Sequence, residues 1–225
     1  MNPEAPTAVL VFAKAPEPGH VKTRLAPALG DGGAAVLAAR LLKGTLATVR
    51  AAALGPVTLC CAPDATHDVF RVFSRRFDVD LAGQGDGDLG ARMHRALART
   101  LETHETALLV GTDIPHMQTS DLNDAAERLR NGTDVVLGPA EDGGYWLIGA
   151  RRVDARLFDG LAWGGPHVLA DTSARVRSLG WSVSLVEMRR DVDRPDDLAW
   201  LAADPGSAPL VADLLDAAVR RRHSP

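Results

Sequence analysis

Short apolar runs rich in Val, Leu and Ile alternate with longer stretches of helical periodicity along almost the whole chain, and this alternation constrains the fold more than any other feature. Runs this short and this apolar fit strands covered on both faces, and parallel strands need the intervening helices as crossovers. The pattern predicts an α/β domain with a mostly parallel central sheet flanked by helices. Strands are expected near Ala8–Ala13, Val57–Cys61, Val79–Ala82, Ala107–Val110, Val135–Leu137, Tyr145–Gly149 and Ser182–Val186. Helices are expected near Gly33–Ala52, Thr66–Arg75, Leu89–His104, Ser120–Arg130, Pro166–Leu179, Pro195–Ala202 and Ala208–Arg222. Thr119 or Ser120 would cap the fourth helix, and Pro195 suits a first helical turn. No linker or repeat divides the 225 residues, so a single domain over 1–225 is expected.

Net charge of -4 and few aromatics argue against a nucleic-acid partner, which would call for a basic face and stacking platforms. The first apolar run is too short for a membrane span or a signal sequence, so no membrane insertion and a cytoplasmic location are expected. Cys60 and Cys61 are adjacent on a strand and face opposite ways, which suits core positions better than a disulfide or a metal site. The basic end "RRRHSP" reads as a solvated helix terminus.

In open α/β sheets, ligands bind beyond the carboxyl ends of the strands, so the residues just after each strand carry the functional argument. After the first strand comes "KAPEPGHVKTRL", which holds two of the three lysines in the chain, Lys14 and Lys22, together with His20 and Arg24. Pro16, Pro18 and Gly19 shape a turn around these cations. A string of phosphates suits such a loop, because Lys supplies a point charge and Arg a bidentate fork. A solvated charged loop is the alternative. The loop is neither a Walker A sequence nor GxGxxG.

Three further strand ends stand out. "GTDIP" puts Asp113 directly after a very apolar strand, where a carboxylate suits a Mg2+ or Mn2+ ion that shares its shell with phosphate oxygens; capping a following turn is the alternative. "GPAEDGGYWLIG" offers Glu141 and Asp142 as base, acceptor or metal partner beside two glycines, although Asp-Gly also marks a plain hairpin. In "DVDRPDD", Asp191 and Asp193 share a face if the chain is extended, and one of them could join Asp113 in a two-carboxylate metal site. Asp196 and Asp197 read as structural residues of a first helical turn. "GQGDGDLG" precedes a helix whose free N–H groups could meet an anion, although Gly-rich turns are common. Trp163 reads as core or as the wall of an acceptor pocket.

Together, "FAKAPEPGHVKTRLAPALG", "GDLGARM", "GTDIP", "GPAEDGGYWLIG" and "DVDRPDDL" resemble the bacterial DUF2064, or TIGR04282-type, glycosyltransferase family, from about Val9 to Leu198. The resemblance implies a GT-A, or nucleotide-diphospho-sugar transferase, fold that also hosts nucleotidylyltransferases. It puts nucleotide or phosphate binding on Lys14, Gly19, Lys22, Thr23 and Arg24, with Asp88, Leu89 and Gly90 near the nucleotide. It puts a metal on Asp113 and Asp193 and the acceptor or sugar near Asp142, Gly143, Gly144 and Tyr145, with Trp163 a further candidate for that pocket. In a glycosyl transfer that inverts the anomeric centre, Asp142, or else Glu141, would be the base that activates the acceptor. Two positions depart from the family pattern: Gly164–Gly165 stand where Ser-Thr is usual, and Arg194 where Thr is usual. The implied activity is glycosyl transfer from a nucleotide-diphospho-sugar to a small acceptor. The alternatives are nucleotidylyl transfer from a nucleoside triphosphate to a phosphorylated acceptor, and a non-catalytic nucleotide-binding protein.

Overall fold

The structure is a computed structural model that describes residues 5–222. His223, Ser224 and Pro225 of the basic end expected to be a solvated helix terminus lie outside those residues. All seven expected strands and seven expected helices form among the described residues. The strands are β1 (Ala8–Lys14), β2 (Val57–Ala62), β3 (Asp80–Gly83), β4 (Ala107–Val110), β5 (Val135–Pro139), β6 (Tyr145–Ala150) and β7 (Val183–Leu185). The helices are α1 (Ala26–Ala52), α2 (Asp68–Phe77), α3 (Leu89–Leu101), α4 (Thr119–Arg130), α5 (Val168–Ser178), α6 (Pro195–Ala203) and α7 (Ala212–Arg222).

The sheet order is β3-β2-β1-β4-β6-β5-β7, and only β6 runs against its neighbours. Consequently the carboxyl ends of β1, β3, β4 and β5 and the amino end of β6 all lie along one edge. β1 alternates as a strand between two layers must: Val9, Val11 and Ala13 pack with α1, α2 and α4, while Leu10 and Phe12 pack with α3 and α5. Both cysteines are buried and free, and burial pushes both thiols up to about 12, as expected of inert core residues.

A third apolar cluster joins α1 to α6 and α7 through Leu37, Leu41, Leu198, Leu201 and Leu214, and it swallows Val192 completely. Burying a Val side chain is worth roughly 1.5–3 kcal/mol before ordering costs, so Val192 anchors the segment that carries Asp191 and Asp193.

Several element boundaries differ from expectation, among them three helix starts. α1 starts at Ala26 rather than Gly33, with Pro27 in its first turn and a non-helical break at Gly30 (φ 72°). The run Thr23–Ala52 has the length and hydropathy of a membrane span, and half of that window is buried, as in a core helix. α4 is capped by Gln118, whose N–H donates to the Asp121 carboxylate at 2.8 Å, rather than by Thr119 or Ser120. Ahead of α7, Ala208–Leu210 forms a separate short 3-10 turn, which Val211 ends with a non-helical backbone (φ -128°, ψ -16°).

Candidate active site

Three loops meet at the carboxyl edge of β1 and β4, and Lys22 ties them together. Its ammonium lies 2.7 Å from Asp113 Oδ1 and donates to the Val192 carbonyl at 2.5 Å, with only 4% of the side chain exposed. The Val192 N–H in turn donates to the Asp113 carbonyl at 3.0 Å. Lys22 adopts a left-handed backbone (φ 50°), which a non-glycine residue holds only when its surroundings enforce it. The sequence reading treats Lys22 as a phosphate contact; the structure commits two of its three N–H donors to the protein and leaves one for a ligand. Arg24 is mostly exposed, and its guanidinium lies 2.5 Å from Asp193 Oδ2.

The loops enclose a cavity of about 490 Å3. Lys14, Lys22, Arg24 and Arg92 supply its positive wall, with the His20 ring beside them, and Asp113 and Asp193 line it as well. Thr23 lines it as well, whereas Gly19 shapes the turn (φ 77°) without reaching the cavity. Two lining residues escaped the sequence reading. Gln84 is buried after β3 and donates to the carbonyls of Ala13 and Cys60, which pins the β1 and β2 ends together. Arg92 sits one turn into α3 and donates to the Gly87 carbonyl; its spacing from Asp88, on the helix face nearest the Gly-rich turn, was the available signal.

A second cavity of about 300 Å3 adjoins the first, and Leu89, Gly111 and Asp113 line both. Asp113, Asp142 and Asp191 bring three carboxylates to it, and Tyr145, Trp146 and Trp163 supply aromatic walls. Burial first, and then the neighbouring Asp142 and Asp113 carboxylates, hold the Asp191 carboxyl above the usual range. The alternating pair Asp191 and Asp193 does not enter one cavity: Asp191 lines the second and Asp193 the first, on either side of the buried Val192.

Asp142 sits in the hairpin between β5 and β6, where its Oδ1 accepts from the Gly144 N–H at 2.9 Å. Gly143 has φ +90°, and a Cβ there would lie 2.2 Å from the Pro166 carbonyl oxygen. Its own carbonyl accepts from the Leu169 N–H, so the hairpin is docked onto the start of α5. Glu141 is exposed and faces Arg190 at 3.8 Å, outside both cavities. Of the "GDLG" residues, Leu89 reaches both cavities. Asp88 is spent on capping α3, and Gly90 is packed beneath Trp163 and Phe158, where a Cβ would come within 2.8 Å of each. Trp163 is half-buried, stacks on Phe158 and meets Tyr145 edge-on, so it is both packed and cavity-lining.

The second cavity's wall is braced from behind. Arg189 holds Asp121 through two hydrogen bonds, at 3.0 and 2.5 Å, and Asp121 is only 5% exposed. The Arg189 backbone also pairs with Pro139 and Glu141, which fixes the Asp191 segment against the Asp142 hairpin. Asp197 accepts from the N–H groups of Asp193 and Arg194 and from Arg190, confirming its expected structural place in the first turn of α6.

Among the described residues, no group of three or more His, Cys, Asp or Glu is arranged to enclose a metal by itself. Mg2+ sites that share phosphate oxygens need only one or two carboxylates, and Asp113 and Asp193 both face the first cavity and each already hold a cationic side chain. That donor set fits a hard cation bound together with a phosphate chain.

The whole chain is similar to a structure described as a nucleotide-diphospho-sugar transferase from Desulfovibrio desulfuricans G20, at 29% identity and a TM-score of 0.81, covering 96% of this chain and 97% of that one. The fold is therefore that of the nucleotide-diphospho-sugar transferases. It is shared, at 12% identity and a TM-score of 0.55, with glucosyl-3-phosphoglycerate synthase from Mycobacterium tuberculosis, solved with Mn2+ and UDP; that likeness covers 94% of this chain and 79% of that one. In sequence, the chain is 28% identical over 190 residues to phosphoenolpyruvate guanylyltransferase of Roseiflexus castenholzii, covering 83% of this chain and 84% of the relative. The model of an uncharacterized protein conserved in bacteria, DUF2064, matches residues 45–165, slightly more than half of the 225, and the chain belongs to that family.

Proposed function

We propose that this protein is a metal-dependent glycosyltransferase that takes a nucleotide-diphospho-sugar in the first cavity and a small hydroxyl acceptor in the second. The observation that carries this reading is the division of charge between two cavities that meet at Asp113. Cations gather where a diphosphate would lie, and carboxylates where a hydroxyl must lose its proton.

Lys22, Arg24 and Lys14 would bind the donor diphosphate, and Asp113 and Asp193 would hold Mg2+ or Mn2+. The bound cation would supply Lewis-acid stabilisation of the charge developing on the leaving diphosphate. Asp142 accepts the proton of the acceptor hydroxyl as its oxygen bonds to the anomeric carbon, and the bond from that carbon to the diphosphate oxygen breaks with its electron pair on the nucleoside diphosphate. Arg24 and the remaining Lys22 N–H stabilise that product, an electrostatic role. Trp163 and the hairpin docked on α5 wall the second cavity, where a bound acceptor would take the place of water.

A second reading is supported by the two Roseiflexus relatives, both named phosphoenolpyruvate guanylyltransferase, at 28% and 26% identity. In nucleotidylyl transfer the first cavity would hold a triphosphate, and a phosphate of the acceptor would attack without needing a base. Incubating the protein with Mg2+ or Mn2+ and a panel of nucleotide sugars and nucleoside triphosphates separates the two. A nucleoside diphosphate formed only from nucleotide sugars supports glycosyl transfer; pyrophosphate formed from a triphosphate overturns it in favour of the second reading.

A further inference from the structure

We infer that the second cavity selects an uncharged hydroxyl compound with an apolar face, of the polyol or saccharide class, and rejects oligoanionic acceptors. The inference rests on the reading of that cavity as the acceptor site and deepens it. Among the described residues that line this cavity there is no Lys, Arg or His. Of the cations in the adjoining loops, Lys22 faces the first cavity and holds Asp113 and the Val192 carbonyl, Arg189 holds Asp121, and Arg190 holds Asp197 and lies over the face of Trp200.

The chemistry of the walls is also specific. Carboxyl oxygens accept hydrogen bonds, so Asp142 and Asp191 suit ligands that donate them, as hydroxyl groups do. Tyr145, Trp146 and Trp163, with Met93 and Val168, give the apolar surface on which the C–H face of a ring can rest. A phosphorylated acid would bring two or more negative charges against this set. The Lys22 ammonium, which already acts on Asp191, and a metal ion held by Asp113 and Asp193 would offset part of that repulsion, and the Asp142 carboxylate would still face the ligand. The predicted acceptor class therefore differs in charge from phosphoenolpyruvate, which the Roseiflexus relatives are named for.

Phosphoenolpyruvate itself is the probe. Its binding would be followed in excess Mg2+, without any donor, through the 13C-methyl resonance of Met93, which reports on this cavity rather than on the cationic one. Wild type would be compared with Asp142→Asn and with the Asp142→Asn, Asp191→Asn pair. Asn at 142 keeps an oxygen for the Gly144 N–H, and Asn at 191 removes a half-buried charge, so both variants should fold. The proposal expects the Met93 resonance of wild type to shift only at millimolar probe, and affinity to rise about fivefold in the single variant and at least tenfold in the double. It is overturned if wild type binds the probe at micromolar concentration, or if the variants show no gain. Because no donor is present, this outcome is independent of which product the transfer assay yields.

Discussion

Lys22 Nζ and Asp113 Oδ1 lie 2.7 Å apart, and the same ammonium holds the Val192 carbonyl, so one nearly buried cation joins three segments that are distant in sequence. Arg24 makes a similar pair with Asp193, yet 64% of its side chain is exposed. The two loop cations therefore differ in kind, although both face the same cavity.

Lys22→Met should cost both stability and donor binding, whereas Arg24→Ala should cost donor binding alone. Loss of the Lys22 contacts is expected to lower unfolding free energy by about 1–2 kcal/mol, the lower range for charged hydrogen bonds because Asp113 is half exposed. Urea titration of the two variants checks this; equal stability loss in both would show that Lys22 has no special organising role.

Replacing Asp142 and Glu141 separately tests the assignment of the base. Asp142→Asn should lower kcat by about 10²–10⁴-fold, the usual contribution of a general base, with little change in donor affinity. Glu141→Gln should remain near wild type, because Glu141 stands outside both cavities beside Arg190. A larger loss at Glu141 would reverse the assignment.

Arg189→Met would leave the Asp121 carboxylate buried without its partner, and a broken buried pair costs roughly 3–5 kcal/mol. The thermal midpoint should fall steeply. Substituting both residues by apolar ones of similar volume should recover part of that loss, because no charge is then stranded.

Gly143→Ala should destabilise by about 1–3 kcal/mol, since the left-handed backbone and the contact with the Pro166 carbonyl both exclude a Cβ. A Gly144→Ala variant, whose Cβ would meet only the flexible Asp142 side chain at 3.1 Å, serves as the milder control in the same denaturation series.

The fold was legible because β1, β2 and β4 are short, apolar and separated by helices, a pattern with few packing solutions. The strand-end motifs were legible for the same reason: knowing where a parallel strand ends says which loop meets the ligand edge. What could not be read was pairing across the chain. Nothing local to Lys22 says that it meets Asp113 rather than solvent, and nothing in the period-two spacing of Asp191 and Asp193 says that they line two adjoining cavities, one each. Asp121 and Arg189 lie 68 positions apart, and their pairing follows only from the packing of α4 against the segment after β7.

The cavity between the opening loop and Asp113 is expected to bind a nucleoside diphosphate together with a divalent cation. Isothermal titration with ADP, GDP, UDP and CDP in Mg2+ tests it most directly. At least one should bind at one site per chain, with affinity falling at least tenfold on chelation, in Asp113→Asn and in Arg24→Ala. Failure of all four to bind, or binding unaffected by both substitutions and by chelation, would contradict it.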